Sequence, residues 1–369
     1  MERPLFAPVG TPVMQLDTPA LVVDLDLLQH NLNTVHTRFA PDQTKLRPQV
    51  SHHRCPILAH RQLAAGGTVG GISVSTLGEA EVFAAHGFTD MVVTNHVVTV
   101  GKIAHLCALA GQVRLTIAAD QTQNIHDLAA AAASRHFTLR VALDIQTHHG
   151  QCGVAPGQPA VELARVICQA SHLEFAGLMT MHDLDHSKDP GGRTSDTRQI
   201  RQALLDTQHM IEQAGMQVPV ISVDDAALSD ADMRLDARTE IRAGAYALMD
   251  ARSSTRLPDL RPAVRVLTTV TSRPEPGMAI TDTGQKAIGV DSGLPVVSDI
   301  SGIVADRLSA EHCRLLLDSD AARHLAPGDK LWLTPWDSAA CANLYDYLHV
   351  MRDGRLEAVW PIAARGHYR

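Results

Sequence analysis

Between residues 27 and 250 the chain repeats one pattern eight times: a short apolar or β-branched run, a polar loop, then an amphipathic segment. The runs are Lys45–Ser51, Val69–Ser75, Met91–Asn95, Arg114–Ala119, Leu139–Ile145, Phe175–Met181, Val218–Val223 and Arg242–Leu248. Their length and residue types read as strands, and their near-continuous apolarity reads as burial on both faces. Eight right-handed crossovers in succession close into a parallel barrel. The expected architecture over 27–250 is therefore α/β, a (β/α)8 TIM-type barrel; an open doubly wound sheet is the alternative.

The segments between the runs carry helix signals. Leu28, Leu32, Val35 and Phe39 recur at helical spacing behind Asp26, read as an N-cap. Pro56 opens Ile57–Ala65, which Gly66-Gly67 ends, and Thr76 with Glu79 has capping-box spacing before a helix that stops at Gly87. Thr194–Ala214 is a further long amphipathic stretch.

Beyond residue 250 the pattern changes. All three tryptophans, Trp332, Trp336 and Trp360, lie there, and long helical periods give way to Val264–Thr271, Met278–Asp282, Cys313–Asp318 and Lys330–Leu333, separated by Pro/Gly/Asp turns. A β domain is expected from 1–26 plus 251–369, with a linker at Ala251–Pro262 and the strand Ala20–Leu25 pairing into it. A chain of 369 residues is long enough for two such cores.

Composition removes several classes of function. A net charge of −8 argues against a nucleic-acid surface, which needs clustered Lys and Arg. No apolar stretch is long enough to span a bilayer, and the N-terminal segment has no apolar core of a secretory signal. The 6 cysteines are scattered, with no CxxC pair, which points to a reducing cytoplasm. A small polar molecule is the expected partner.

In a β/α-barrel the chemistry sits at the C-terminal strand ends. Here those ends read Ser51-His52-His53, Ser73-Val74-Ser75, Asn95-His96, Asp120, Asp144 with His148-His149, His182-Asp183, Asp224-Asp225 and Tyr246. So many titratable groups on one rim suit a reactive site, although loop starts and helix caps also favour Asp and Ser.

Several segments stand out in order: Thr18-Pro-Ala-Leu-Val-Val-Asp-Leu-Asp26, Leu77-Gly-Glu-Ala-Glu81, Val93-Thr-Asn95 and Ala243-Gly-Ala-Tyr246 through Met249-Asp250. Gly328-Asp-Lys330, Asn343-Leu-Tyr-Asp346 and Trp360-Pro-Ile-Ala-Ala-Arg-Gly366 continue them. Together they resemble the D-threonine aldolase and D-serine dehydratase group, relatives of the alanine racemase-type barrel. The resemblance implies a pyridoxal phosphate (PLP) barrel, a C-terminal β domain and a homodimer.

The sequence departs from that group's catalytic pattern. Where the group has a segment like R-P-H-x-K-T-H-K, with the cofactor on its first lysine, this chain has Arg47-Pro-Gln-Val-Ser51-His52-His53-Arg54. The lysine position is Ser51, and a hydroxyl forms no imine. The counterpart of the glycine-rich phosphate loop is Ser222-Val-Asp224-Asp225-Ala226, where two carboxylates oppose an anion. The usual arginine of the fifth-strand loop is Gln151, and the metal pair falls on Asp337 and Ala339.

These departures lead to the expectation that pyridoxal phosphate is lost and a divalent metal (Zn, Mn or Fe) replaces it. Its ligands would come from His52, His53, His148, His182, Asp183 and His186, since imidazole and carboxylate together suit such ions. His182, Asp144 and Asp224 are the expected catalytic groups, with His149 and Asp225 as weaker candidates. The expected function is a metal-dependent lyase of aldolase or dehydratase type. The alternatives are a non-catalytic binding or regulatory homologue, and an acid–base enzyme using His182 with Asp144.

Overall fold

The computed structural model describes residues 6–40, 44–147, 150–180, 190–224, 228, 237–320 and 324–369, with the backbone only for 190–197. In chain order the elements are β1 (Ala20–Asp24), α1 (Leu25–Phe39), β2 (Lys45–Pro48), α2 (Pro56–Ala64), β3 (Ile72–Val74), α3 (Leu77–Ala85), β4 (Asp90–Val93) and α4 (Val100–Ala110). There follow β5 (Arg114–Ala119), α5 (Thr122–Ser134), β6 (Leu139–Ile145), α6 (Gln158–Gln169), β7 (Leu173–Thr180), α7 (Pro190–Gln213), β8 (Ile221–Val223) and β9 (Thr239–Ala243). The β-rich remainder is β10 (Val264–Ser272), β11 (Met278–Thr281), β12 (Val296–Val297), β13 (Ile303–Leu308), β14 (Cys313–Leu317), β15 (Lys330–Thr334), β16 (Tyr347–Arg352) and β17 (Arg355–Pro361).

The chain divides into two compact units. One joins His36–Ser51, Ala59–Gly244 and His367–Arg369; the other joins Met1–Val35, His52–Leu58 and Ala245–Gly366. The first holds an eight-stranded parallel sheet in the order β2-β9-β8-β7-β6-β5-β4-β3. Its two ends meet through the parallel bridges Leu46↔Thr68 and Gln49↔Ser73, so the sheet is a nearly closed barrel and not an open doubly wound sheet. Leu46, Ile72, Met91 and Ile117 are fully buried in it. Burying each such side chain contributes about 1.5–3 kcal/mol.

The last barrel strand differs from its expected place. It is Thr239–Ala243, and Ala245–Leu248 is a helical turn. The reason is charge burial: Glu240 accepts from Arg47 Nε (2.8 Å) and Ser222 Oγ (2.8 Å), while Arg47 also donates to Asp90 (2.7 Å). A strand that buries paired charges does not look apolar, which moves the apparent strand downstream. At the start of α1 the N-cap is Asp24, whose carboxylate accepts from Asp26 N and Leu27 N (3.1 Å each), and not Asp26. Thr76 does cap α3, accepting from Glu79 N.

The second unit holds a nine-stranded sheet in which β1 pairs antiparallel with β10 and parallel with β16, as expected for the N-terminal strand. Val13, Leu16, Ala20, Val22, Leu267, Met351 and Leu356 form a core cluster there. Among the described residues no helix is long and apolar enough to cross a membrane.

Candidate active site

The first barrel strand ends in a turn that carries position 51. Ser51 is buried; its Oγ donates to Glu79 Oε2 and accepts from Ser75 N at 2.7 Å. Ser75 N also donates to Glu79 Oε2 (2.9 Å), and Gln49 Nε2 lies 3.3 Å from both Ser51 Oγ and Ser75 Oγ. Glu79 thus serves its helix start through Ser75, one residue before the cap. The hydroxyl is a structural tie between the first and second barrel strands. Lys45 lies at the other end of β2, its Nζ donating to Phe39 O (3.1 Å) and Ala40 O (3.3 Å).

A second group forms at the ends of β4, β5 and β6. The register Ala119↔Leu143 sets Asp120 and Asp144 on neighbouring strand ends, and His96 follows β4 by three residues. His96 Nε2 lies 3.6 Å from Asp120 Oδ1 and 3.6 Å from Asp144 Oδ2. The side chains of His96, Asp120 and Asp144 are 15%, 16% and 1% exposed. Asp120 is held by Gly153 N, which donates to its other oxygen at 2.9 Å. That reach needs glycine: Gly153 has φ +108°, and a Cβ there would lie 2.6 Å from Gln146 N. The loop after β6 folds back on itself through Gln146 N to Val154 O (2.8 Å) and Val154 N to Asp144 O (2.9 Å).

The electrostatics follow from burial. Loss of solvent pushes the Asp144 carboxyl up to about 7; the Arg242 guanidinium opposes that rise, and Asp120 adds to it. Arg242, in β9, is pulled down by its own burial against the attraction of Asp224, Glu240 and Asp144, and it donates to Thr180 O. Both carboxylate oxygens of Asp144, His96 Nε2 and Thr180 Oγ1 are buried without a hydrogen-bond partner among the described residues. Buried polar atoms left in this way mark a place built for another polar group or for proton exchange.

The sequence candidates fall into three sets. Asp144 and Asp224 belong to the barrel unit, both acting on Arg242. His52 and His53 belong to the other unit: His53 is fully buried, its Nδ1 accepting from Cys55 N (3.1 Å), and His52 Nδ1 is buried without a hydrogen bond among the described residues. His148, His149, His182, Asp183, His186 and Asp225 lie outside the described residues. Among the described residues no group of three or more His, Cys, Asp or Glu side chains could hold a metal ion. Asp337 caps a short helix, accepting from Ala340 N (2.9 Å), and Gln151 closes the β6 loop by accepting from Gln146 Nε2 at 2.9 Å. His96, Asp120, Thr180 and Arg242 were not among the site candidates. His96 and Asp120 did stand in the row of strand ends, and an arginine inside a buried strand was the available signal for Arg242.

Comparison with known proteins agrees with this architecture. The family model "Alanine racemase, N-terminal domain" matches residues 23–251, and "Putative serine dehydratase domain" matches 263–351. The chain is 30% identical to a D-threonine aldolase of Arthrobacter sp. over 367 residues, 98% of this chain and 96% of the relative. It is 30% identical to a 3-hydroxy-D-aspartate aldolase of Paracoccus denitrificans over 373 residues, 97% of this chain and 94% of the relative. The crystal structure of D-threonine aldolase from Filomicrobium marinum superposes with a TM-score of 0.93 at 32% identity, covering 98% of this chain and 100% of that one.

These findings correct two expectations. Whole-length relatives are aldolases of the group for which the resemblance implied pyridoxal phosphate, so neither a metal-dependent lyase without that cofactor nor its replacement by Zn, Mn or Fe is supported. The likeness along the whole chain outweighs the departures at single positions. The chain belongs to the D-threonine aldolase and D-serine dehydratase group of the alanine racemase fold.

Proposed function

We propose that the chain is a lyase that cleaves a 3-hydroxy D-amino acid between Cα and Cβ at the barrel mouth. The observation that carries this reading is likeness along nearly the whole chain to two aldolases, whose named substrates are both D-amino acids with a 3-hydroxyl. Aldol cleavage takes the proton from that hydroxyl, turns Cβ–OH into a carbonyl and leaves the electron pair of the broken bond on Cα. The cluster of buried, unpartnered polar groups at the ends of β4, β5 and β6 supports placing the proton chemistry there.

Pyridoxal phosphate, when bound, supplies the acceptor for the electron pair on Cα. The residues of the first barrel strand do not fit covalent attachment of that group. Position 51 holds a buried hydroxyl tied to Ser75 N and Glu79, and Lys45 is fastened to backbone carbonyls at the opposite strand end. We infer that any pyridoxal phosphate in this chain is not anchored as an imine at position 51, and no catalytic step is assigned through it. Borohydride reduction in its presence should leave the peptide containing residues 46–54 unlabelled; a label there would refute the inference. The function itself is tested by incubating the purified protein with D-threonine and assaying acetaldehyde, with and without added pyridoxal phosphate. Aldehyde release supports the reading, and its absence in both arms with D-threonine and 3-hydroxy-D-aspartate counts against it.

A further inference from the structure

His96 Nε2 is buried and lies 3.6 Å from both Asp120 and Asp144, without a hydrogen bond among the described residues. The side chain is 15% exposed, and Nδ1 is the ring's other nitrogen. An imidazole with two carboxylates beside one nitrogen is arranged as a base with an orienting acid, as in dyads and triads on unrelated folds. The 3.6 Å separation exceeds a hydrogen bond, as is common for such pairs before substrate is bound. The order of burial also fits: Asp144, the most buried of the three, has no hydrogen-bond partner for either oxygen among the described residues.

We propose that His96 is the proton-transfer residue of this mouth, its Nε2–H directed to Asp144 and Asp120 and its Nδ1 receiving the proton of the substrate's 3-hydroxyl. The inference rests on the lyase reading above and names the residue that would do its acid–base work. In the step, the substrate O–H bond breaks and an N–H bond forms on Nδ1; the pair left on oxygen forms the C=O bond as Cα–Cβ breaks, and the pair of that bond is left on Cα. The positive charge then on the ring is balanced by the carboxylates behind it. In the reverse direction the same proton returns to the oxygen. Asp120 and Asp144 are positioning residues: they hold the tautomer and orientation of the ring.

Among the described residues, the groups facing Asp144 are His96 from the loop after β4, Asp120 from the end of β5 and Arg242 from β9, with Asp224 and Glu240 acting on Arg242. Burial sets the Asp144 carboxyl at about 7, so it carries its charge only above that pH. Cleavage should therefore rise with pH through the neutral range, where the carboxylate behind the ring becomes charged.

Two measurements on the full-length protein test this. The first is nitrogen-15 NMR of the histidine side chains at pH 8.5, with H96Q used to assign the His96 signals. The expected result is a neutral ring protonated on Nε2 with Nδ1 bare, and a shift of that balance in D144N. A ring protonated on Nδ1, or one unaffected by D144N, overturns the proposal whether or not any substrate is cleaved. The second is the pH profile of kcat/KM for cleavage of a 3-hydroxy D-amino acid. H96Q should lose about 10²–10⁴-fold, the usual worth of a general base. D144N should lose at least ~10-fold and flatten the limb near neutrality. H105A, an exposed histidine outside the mouth, should match the wild type. Full activity of H96Q with an unchanged melting temperature would refute His96 while leaving the lyase reading in place. Inactivity of the wild type would refute the lyase reading, and the NMR result would then decide the arrangement alone.

Discussion

Asp144 can ionise only against its surroundings. Unfolded, the side chain titrates near the ordinary carboxylate value of 3.8; folded, burial lifts it to about 7. Between those values the unfolded chain gives up a proton that the folded chain keeps, so the contribution of Asp144 to stability falls as pH rises from about 4 to about 7. Each unit of such a shift is worth about 1.4 kcal/mol. The variant D144N keeps the shape and removes the charge. It should melt above the wild type at pH 8 by a few degrees, and the gap should close by pH 4; a constant gap would show that ionisation is not its cause. Ser51 makes the opposite kind of contribution. Removing its hydroxyl in S51A takes a partner from Glu79 and Ser75 N and should cost roughly 0.5–1.5 kcal/mol in urea unfolding, since those two still bond each other. At this scale the sequence was informative about individual groups and silent about their company. Asp144 stood out as an acid at a strand end, whereas His96 and Asp120 become significant only once three strand ends are side by side. The histidine-rich runs drew attention by composition, yet His53 serves a buried turn.

The elements themselves were largely legible, because burial on both faces imposes continuous apolar strands and one buried side imposes helical periodicity. The regions of all eight barrel strands and the pairing of β1 with the C-terminal sheet follow from those two patterns. The strand that shifted, β9, is the one that buries Glu240 and Arg242, whose partners lie far off in sequence. The Asp24 cap was missed because two acids lie close together at the start of α1 and spacing does not choose between them. A bulge in β7 is a third feature that pattern reading does not reveal. The register of β6 and β7 shifts between Val141 and Ala142, and Gly177 takes φ +119° beside Val220. A Cβ on Gly177 would fall 2.0 Å from Val220 O, so β7 and β8 could not keep their spacing. The variant G177A should lose on the order of 3 kcal/mol or more in urea unfolding, from strain and steric overlap together. A loss below about 1 kcal/mol would mean that the bulge relaxes readily.

For the molecule as a whole, one compact unit holds the eight-stranded parallel sheet, and the other holds the nine-stranded sheet together with Leu25–Val35 and His52–Leu58 from the β/α stretch. The overall pattern assigns the family, from which single positions depart. Substitutions at Ser51, Gln151 and Ala339 suggested a departure from the group's cofactor, and the full-length likeness to two aldolases restores the group's reaction as the working account. Assembly follows the same resemblance: we propose a homodimer, for which sedimentation at micromolar concentration should give the mass of two chains, and the mass of one chain would refute it. The central claim is cleavage of the Cα–Cβ bond, and its most direct measurement is the product ratio from a single pure substrate. With pyridoxal phosphate supplied, D-threonine should yield glycine and acetaldehyde in equal amounts, and L-threonine should yield neither. Glycine without aldehyde, equal turnover of both enantiomers, or no product from any 3-hydroxy D-amino acid would contradict it.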